Sequence, residues 1–283
     1  MPELQMPAAR EFGWDLRPTS SSRFEILKRP NGQFCVVLNH ALLRGVTAEM
    51  IHWWFLNFPN LRVRLIDVPG YEQQQVPAYL LWHPVDHRSA TLSGRLGPNN
   101  TSRVGARLHI QEAMQYDRYG WQYPVDTTVK LFYVGEDGWA MGRAIPLLGP
   151  VMMLRIHFTD VVQDGVPMGV HYHYEVVIGV SGDGPVSRLI NSRITAQFGP
   201  EFFAAWHRHN VIEVGVFENF LPPLYAQRER PDALEYQRDM DPQPLGDLPA
   251  GGFDGSLFER RITGYRSAQD PHAFQAYAAR SFL

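Results

Sequence analysis

Large residues recur every three or four positions along residues 199–221, GPEFFAAWHRHNVIEVGVFENFL, so that Phe202, Trp206, His209, Glu213, Val216 and Phe220 fall on one stripe of a single long helix. Pro200 suits a first helical turn, and Glu201 complements the positive end of the helix dipole. Four of the six stripe residues are large and apolar, so the stripe faces a core. His209 and Glu213 lie one turn apart on it. A buried imidazole and carboxylate need partners, because unpaired burial costs each of them hydration. At i, i+4 spacing, with Cβ atoms about 5–6 Å apart, the pair reads either as a hydrogen-bonded core pair or as two ligands of one metal ion.

Upstream the pattern changes to strands. Residues 24–38 read as a hairpin, FEIL and QFCVVL around KRPNG, and Thr47 caps a helix running to Phe58. Trp53, Trp54 and Phe55 are consecutive and cannot all face one core, which predicts an aromatic surface shared with another domain or subunit. His52 reads as a packing or surface residue. Residues 78–94, AYLLWHPVDHRSATLSG, read as a strand interrupted by Pro84, with His83, Asp86 and His87 clustered beside it. Proline resets the side-chain phase, so alternation does not say which histidine looks inward. In residues 104–114, Val104, Ala106, Leu108 and Ile110 share one face and Glu112 continues it, while His109 falls on the wet face and is not a ligand. A strand over residues 127–134, a GEDG turn and a short strand to Ala144 follow. Residues 150–162 and 168–180 form a strand pair joined through QDGVP. On the second of these, Val170, Tyr172, Tyr174, Val176 and Ile178 make the apolar face and His171, His173 and Glu175 the other. His171 and Glu175 repeat the His-x-x-x-Glu spacing, but on a strand they stand about 13 Å apart and share no ion. Tyr172 and Tyr174 are either core tyrosines or the hydroxyl lining of a cavity. Residues 185–194 predict a short helical segment, residues 1–23 an extended arm and residues 241–255 a loop, with helical features near residues 273–279. Antiparallel strands followed by one long helix predict an α+β fold with the helix laid across a curved sheet.

Composition narrows the function classes. The chain has 283 residues, 45% of them hydrophobic, enough to bury a sizeable core. A net charge of −3 argues against nucleic acid or an anionic membrane as the main partner. Cys35 is the single cysteine, which excludes an internal disulfide and a thiolate cluster. With no run of eighteen apolar residues and no signal-peptide core, a cytoplasmic globular protein is expected.

Three segments, VTAEMIHWWF, YLLWHPVDH and HNVIEVGVFENFLPPLY, occur in this order between Val46 and Tyr225. Together they resemble the family of 2,4-diacetylphloroglucinol hydrolase and phloretin hydrolase. The resemblance implies an N-terminal region over residues 1–75 used in homodimer contacts. It further implies a Bet v 1-like (START-type) helix-grip domain over residues 76–228 holding one Zn2+, and a C-terminal extension over residues 229–283. The implied ligands are His87, Glu112, His209 and Glu213, with His83 the alternative to His87. Tyr79 and Tyr172 are the implied substrate-binding and catalytic tyrosines, Tyr174 and His157 further substrate contacts, and Glu213 a second catalytic group. The implied reaction is zinc-dependent hydrolysis of the carbon–carbon bond joining an acyl group to a polyhydroxyphenol ring, with a phenolic ketone as substrate. A helix-grip protein that binds aromatic ligands without chemistry, or a zinc enzyme of another polyketide-type reaction, remains the competing expectation. Three departures from the family pattern bear on the substrate: Ala90 replaces an asparagine, the interval from His87 to Glu112 is short, and the tail beyond Tyr225 is long.

Overall fold

The alternation read above condenses into one large antiparallel sheet in a computed structural model, which describes residues 5–146 and 149–238. The first hairpin is β1 (Ser22–Lys28) and β2 (Phe34–His40), followed by the short β3 (Leu43–Arg44). Helix α1 (Ala48–Asn57) starts where the Thr47 hydroxyl accepts a hydrogen bond from the Met50 N–H, satisfying one of the free donors of its first turn. Strands β4 (Arg62–Leu65) and β5 (Gln74–Pro77) lead to β6 (His87–Ser93) and β7 (Arg107–Ala113). After the single-turn α2 (Tyr116–Tyr119) come β8 (Pro124–Gly135), β9 (Gly138–Ile145), β10 (Gly149–Gln163) and β11 (Val166–Ile178). Helices α3 (Pro185–Thr195), α4 (Pro200–Gly215) and α5 (Phe217–Ala226) precede β12 (Glu235–Tyr236).

Among the described residues, nine strands join in the order β1-β2-β11-β10-β9-β8-β7-β6, with β3 also paired to β11. A small second sheet has the order β12-β4-β5. Strands β2 and β3 pair with β11, so the large sheet draws on both sides of the boundary expected between residues 75 and 76. The face carrying Leu108, Leu131, Ile156, Tyr172 and Val176 packs against α1, α4 and α5 in one continuous core. No described helix is long and apolar enough to cross a membrane. The segments expected over residues 241–255 and 273–279 lie outside the described residues.

Several expectations change. The single long helix of residues 199–221 is two helices that meet at Val216. Pro222 and Pro223 lie inside the second helix, which runs on to Ala226 instead of ending after Leu221. Residues 78–81 form a 3-10 turn rather than a strand. Val104 lies half exposed in the turn before β7. The aromatic run of α1 does not leave an open face: Trp54 and Phe55 are buried, and Trp53 packs edge-on against Tyr225 of α5 at 5.6 Å.

The N-terminal arm, polar by composition, is anchored by a few residues. Phe12 stacks on Trp14 at 4.1 Å, and the Trp14 indole donates to Tyr236 Oη at 2.6 Å. The buried Arg17 guanidinium donates to both carboxylate oxygens of Glu218, at 3.2 and 2.5 Å, and to the carbonyls of Ala41 and Leu42. Removing one member of a buried pair leaves the other charge without compensation, at a cost of about 3–5 kcal/mol. Arg17→Ala is therefore expected to lower the urea midpoint steeply, while Arg17→Ala/Glu218→Gln recovers part of the loss. A midpoint within error of the parent protein would refute the assignment.

Candidate metal centre

The segment linking the 3-10 turn to β6 is where side chains from four parts of the chain meet. A β-bulge between His87 and Ser89 interrupts the pairing of β6 with β7. Without it His87 would share a face with Ser89 and Thr91. The bulge adds one residue and places His87 in line with the inward-facing Ala90 and Leu92, which lie opposite Ile110 and Leu108. His87 itself pairs with Glu112. Helix α4 brings His209 and Glu213 down from above.

Four groups converge there. His87 Nε2 lies 3.4 Å from Glu112 Oε2 and 3.7 Å from Glu213 Oε1. His209 Nε2 lies 3.9 Å from Glu112 Oε1 and 4.0 Å from Glu213 Oε2. These separations are longer than hydrogen bonds. They resemble the edges of a tetrahedron whose corners sit about 2.0–2.1 Å from its centre. Each histidine has its other nitrogen fixed. His87 Nδ1 donates to the Tyr79 carbonyl at 3.0 Å and His209 Nδ1 donates to Asp86 Oδ2 at 2.8 Å. Both Nε2 atoms are thereby aimed at the shared centre, the arrangement that orients imidazole ligands in metal sites. His87 Nε2 is buried without a hydrogen-bond partner among the described residues. His87, Glu112 and His209 can hold a metal ion, with Glu213 beside them.

A second group, His83, Asp86 and His209, is also close enough to hold an ion. Hydrogen bonds engage His83 Nδ1, Asp86 and His209 Nδ1, while His83 Nε2, like His87 Nε2, is buried without a hydrogen-bond partner among the described residues. His83 Nδ1 accepts from the backbone N–H groups of Val85 and Asp86, at 3.2 and 2.9 Å, which puts its proton on Nε2, 3.3 Å from Asp86 Oδ2. Asp86 also accepts from the N–H groups of Gln115 and Tyr116. His83 stacks on His209 at 4.8 Å and supports it. Of the two histidines of this motif, His87 is the one that faces the centre.

The electrostatics reflect two carboxylates and two imidazoles aimed at one point. Burial pushes Glu213 up to about 8, against the opposing influence of His209. Burial alone would depress His209; its hydrogen bond to Asp86 and the nearby Glu112 carboxylate raise it to about 9. His87 is held well below the usual histidine range by burial and the neighbouring His209. Against the cost of burial, the His83 and His209 rings hold the Asp86 carboxyl below the usual carboxylate range.

The group forms one end of a cavity of about 550 Å³. Tyr79, Tyr172 and Tyr174 line it with Glu112, His209 and Glu213. Tyr79 Oη donates to Glu112 Oε2 at 2.6 Å, and its ring stacks on His87 at 4.0 Å. Burial raises all three phenols well above the usual tyrosine value, keeping them as donors. His157 is not brought to the cavity. It alternates to the opposite face of β10 from Ile156 and Phe158 and pairs across to His173. His171 and Glu175 likewise sit away from the cavity, and His109 pairs with Asp126 at the surface.

Two supporting residues have no periodic signature in the sequence. Arg10, from the polar arm, is buried and donates to the His83 carbonyl at 2.5 Å and the His87 carbonyl at 3.4 Å. Asn210 Oδ1 accepts a hydrogen bond from His40 Nε2 at 2.9 Å, and Asn210 Nδ2 donates to Glu213 Oε2 at 3.3 Å. Asp86 was legible only as part of a cluster, because its role depends on the backbone donors it meets.

No family profile matches this chain, and a comparison with curated proteins finds no match. Among solved structures the chain is similar to "Crystal structure of Ara h 8.0201", at 12% identity and a TM-score of 0.32, covering 66% of this chain and 98% of that one. A likeness that distant defines neither family nor activity.

Proposed function

We propose that this protein is a zinc-dependent hydrolase of helix-grip type that cleaves the carbon–carbon bond between an acyl group and a polyhydroxyphenol ring. The observation that carries the reading is the unpaired His87 Nε2 facing Glu112, Glu213 and His209 Nε2 at the end of a tyrosine-lined cavity. The motifs from Val46 to Tyr225 supply the reaction class.

Two histidines and two carboxylates suit zinc when an oxygen from water or substrate can also enter. Bound there, zinc supplies a Lewis acid and lowers the pKa of a bound water towards about 7. The chain's own groups do the rest. Tyr172 and Tyr174 present protonated phenols to the ring hydroxyls and favour the keto tautomer, in which the ring carbon bearing the acyl group is tetrahedral. Tyr79 holds Glu112 in place through its 2.6 Å hydrogen bond. Glu213 is placed to move a proton between water and the ring, a general acid–base role. In the balanced reaction the hydroxyl of water joins the acyl carbon and its proton reaches the ring carbon. The electron pair of the broken bond is first accommodated on the ring oxygen. The products are a free phenol and a carboxylic acid.

The reading includes a homodimer, which rests on the resemblance of the N-terminal region now that the α1 aromatics are accounted for within one chain. Elemental analysis of protein purified without added metal is expected to give close to one zinc per chain. A panel of acylphloroglucinols, with chromatography of both products, is expected to show a phenol and an acid in equal amounts. Zinc bound with no member cleaved would replace this reaction by another; full activity without metal would remove zinc from it.

A further inference from the structure

The cavity extends well beyond the polar end just described, and the two ends differ in chemistry. On its sheet wall, three successive inward rungs of β10 and β11 lead away from the metal end. They are Ile156 opposite Tyr174, Leu154 opposite Val176, and Met152 opposite Ile178. From the first rung to the third is roughly 13 Å at strand spacing. On its helix wall, α4 carries His209, then Trp206, then Phe202 towards its N-terminus, about 10 Å at helical rise. The Trp206 ring meets Tyr174 edge-on at 6.3 Å and Phe202 at 5.7 Å, so apolar surface is continuous from the tyrosines outward. Beyond the metal end the half-buried Thr127 is a polar lining residue, and charged and other polar side chains, Asp126, Arg143 and Gln197, stand at the exposed rim.

We propose that the tunnel takes a long, apolar acyl arm, so that the preferred substrate is a polyhydroxyphenyl ketone bearing a medium-length alkyl chain rather than a short acyl group. The inference rests on the reading of the polar end as the site of acylphenol cleavage. A hydroxylated ring held by Tyr172, Tyr174 and the metal group leaves the tunnel beyond it for the substituent on the carbonyl. An extended alkyl chain of about eight carbons spans the 10 Å or so between His209 and Phe202. Apart from the Thr127 hydroxyl, the sheet wall beyond the tyrosines is mainly aliphatic and offers dispersion contacts. A shorter acyl group would leave this wall in contact with water or with nothing. A cavity of about 550 Å³ also falls in the range that encloses ligands much larger than one ring.

The test is a series of 2-acylphloroglucinols with straight chains of increasing length, presented to the zinc-loaded protein. Binding is read from quenching of tryptophan fluorescence and cleavage from product chromatography, so that binding and turnover are measured separately. Each added methylene is expected to tighten binding about three- to fourfold until the chain fills the tunnel, after which the gain stops. Val176→Phe, which narrows the middle rung, is expected to move the preferred length to shorter chains with zinc content unchanged. Affinity that is flat or falls with chain length in the parent protein overturns the inference, whatever the variant does. Cleavage of the acetyl compound with no gain for longer chains would remove the tunnel from recognition and leave the hydrolase reading standing. Tight, length-dependent binding without cleavage would support the tunnel and remove the hydrolase reading.

Discussion

Replacing His87 by alanine is expected to reduce bound zinc from about one equivalent per chain to a small fraction of that and to abolish hydrolysis, whereas His83→Asn keeps the metal. The two histidines are four residues apart, and their ring nitrogens are used in opposite ways. His87 Nδ1 donates to a carbonyl, leaving an acceptor at Nε2 that has no partner. His83 Nδ1 is itself an acceptor of two backbone N–H groups, and asparagine offers a carbonyl oxygen there. His209→Ala and Glu213→Ala should behave like His87→Ala. His171→Ala should retain both metal and activity, because it lies outside the cavity. Glu175→Ala should retain zinc too, although the carboxylate is buried near Cys35 and its removal is expected to cost stability. The comparison is made by elemental analysis and initial rates after each variant has been shown to fold by circular dichroism. Equal loss from His83→Asn and His87→Ala would mean that the bulged segment presents both rings to the metal.

Acid is expected to destabilise the protein through His40, well before most carboxylates titrate. The ring is buried against α4, with Nε2 2.9 Å from Asn210 Oδ1 and the Tyr172 ring edge-on at 5.7 Å. Burial lowers its pKa to about 3; Arg17, His207 and His173 act in the same direction, while the Asn210 hydrogen bond opposes them. A histidine neutral in the folded state and near 6.5 when unfolded binds a proton preferentially on unfolding. Its contribution is therefore fully present above about pH 6.5 and declines as pH falls from there towards about 3. Between pH 7 and pH 5 the loss amounts to about 2 kcal/mol, from 1.5 pH units at about 1.36 kcal/mol each. Urea unfolding at both pH values should show a stability change about 2 kcal/mol larger in the parent protein than in His40→Gln, the other histidines contributing to both alike. An identical pH dependence in the variant would show that His40 is already protonated in the folded state.

The α+β class, most of the strands and the capped α1 were legible in the sequence because each rests on a local rule. Period-two alternation marks β7, β10 and β11, Thr47 supplies a side-chain oxygen at the right place, and turn residues separate β1 from β2. The same rules singled out Glu112, His209 and Glu213, which are polar groups on faces that otherwise bury apolar side chains. Local rules also separated the helical His-x-x-x-Glu from its copy on β11, since rise per residue alone decides which pair can converge.

Tertiary structure decided what depends on how separate segments meet. Alternation could not choose between His83 and His87, because the choice turns on one extra residue at a bulge and on which backbone donors surround each ring. Arg10 looked like part of a solvated arm until its guanidinium was placed on the carbonyls of the ligand segment, an interaction spanning more than seventy residues. The consecutive aromatics of α1 suggested an open surface, yet α5 packs against them, and no pattern within α1 records the approach of a helix so distant in the chain. Local pattern placed most of the apolar core; only the fold determined that Arg10 is buried, that Val104 is not, and which buried polar groups face one another.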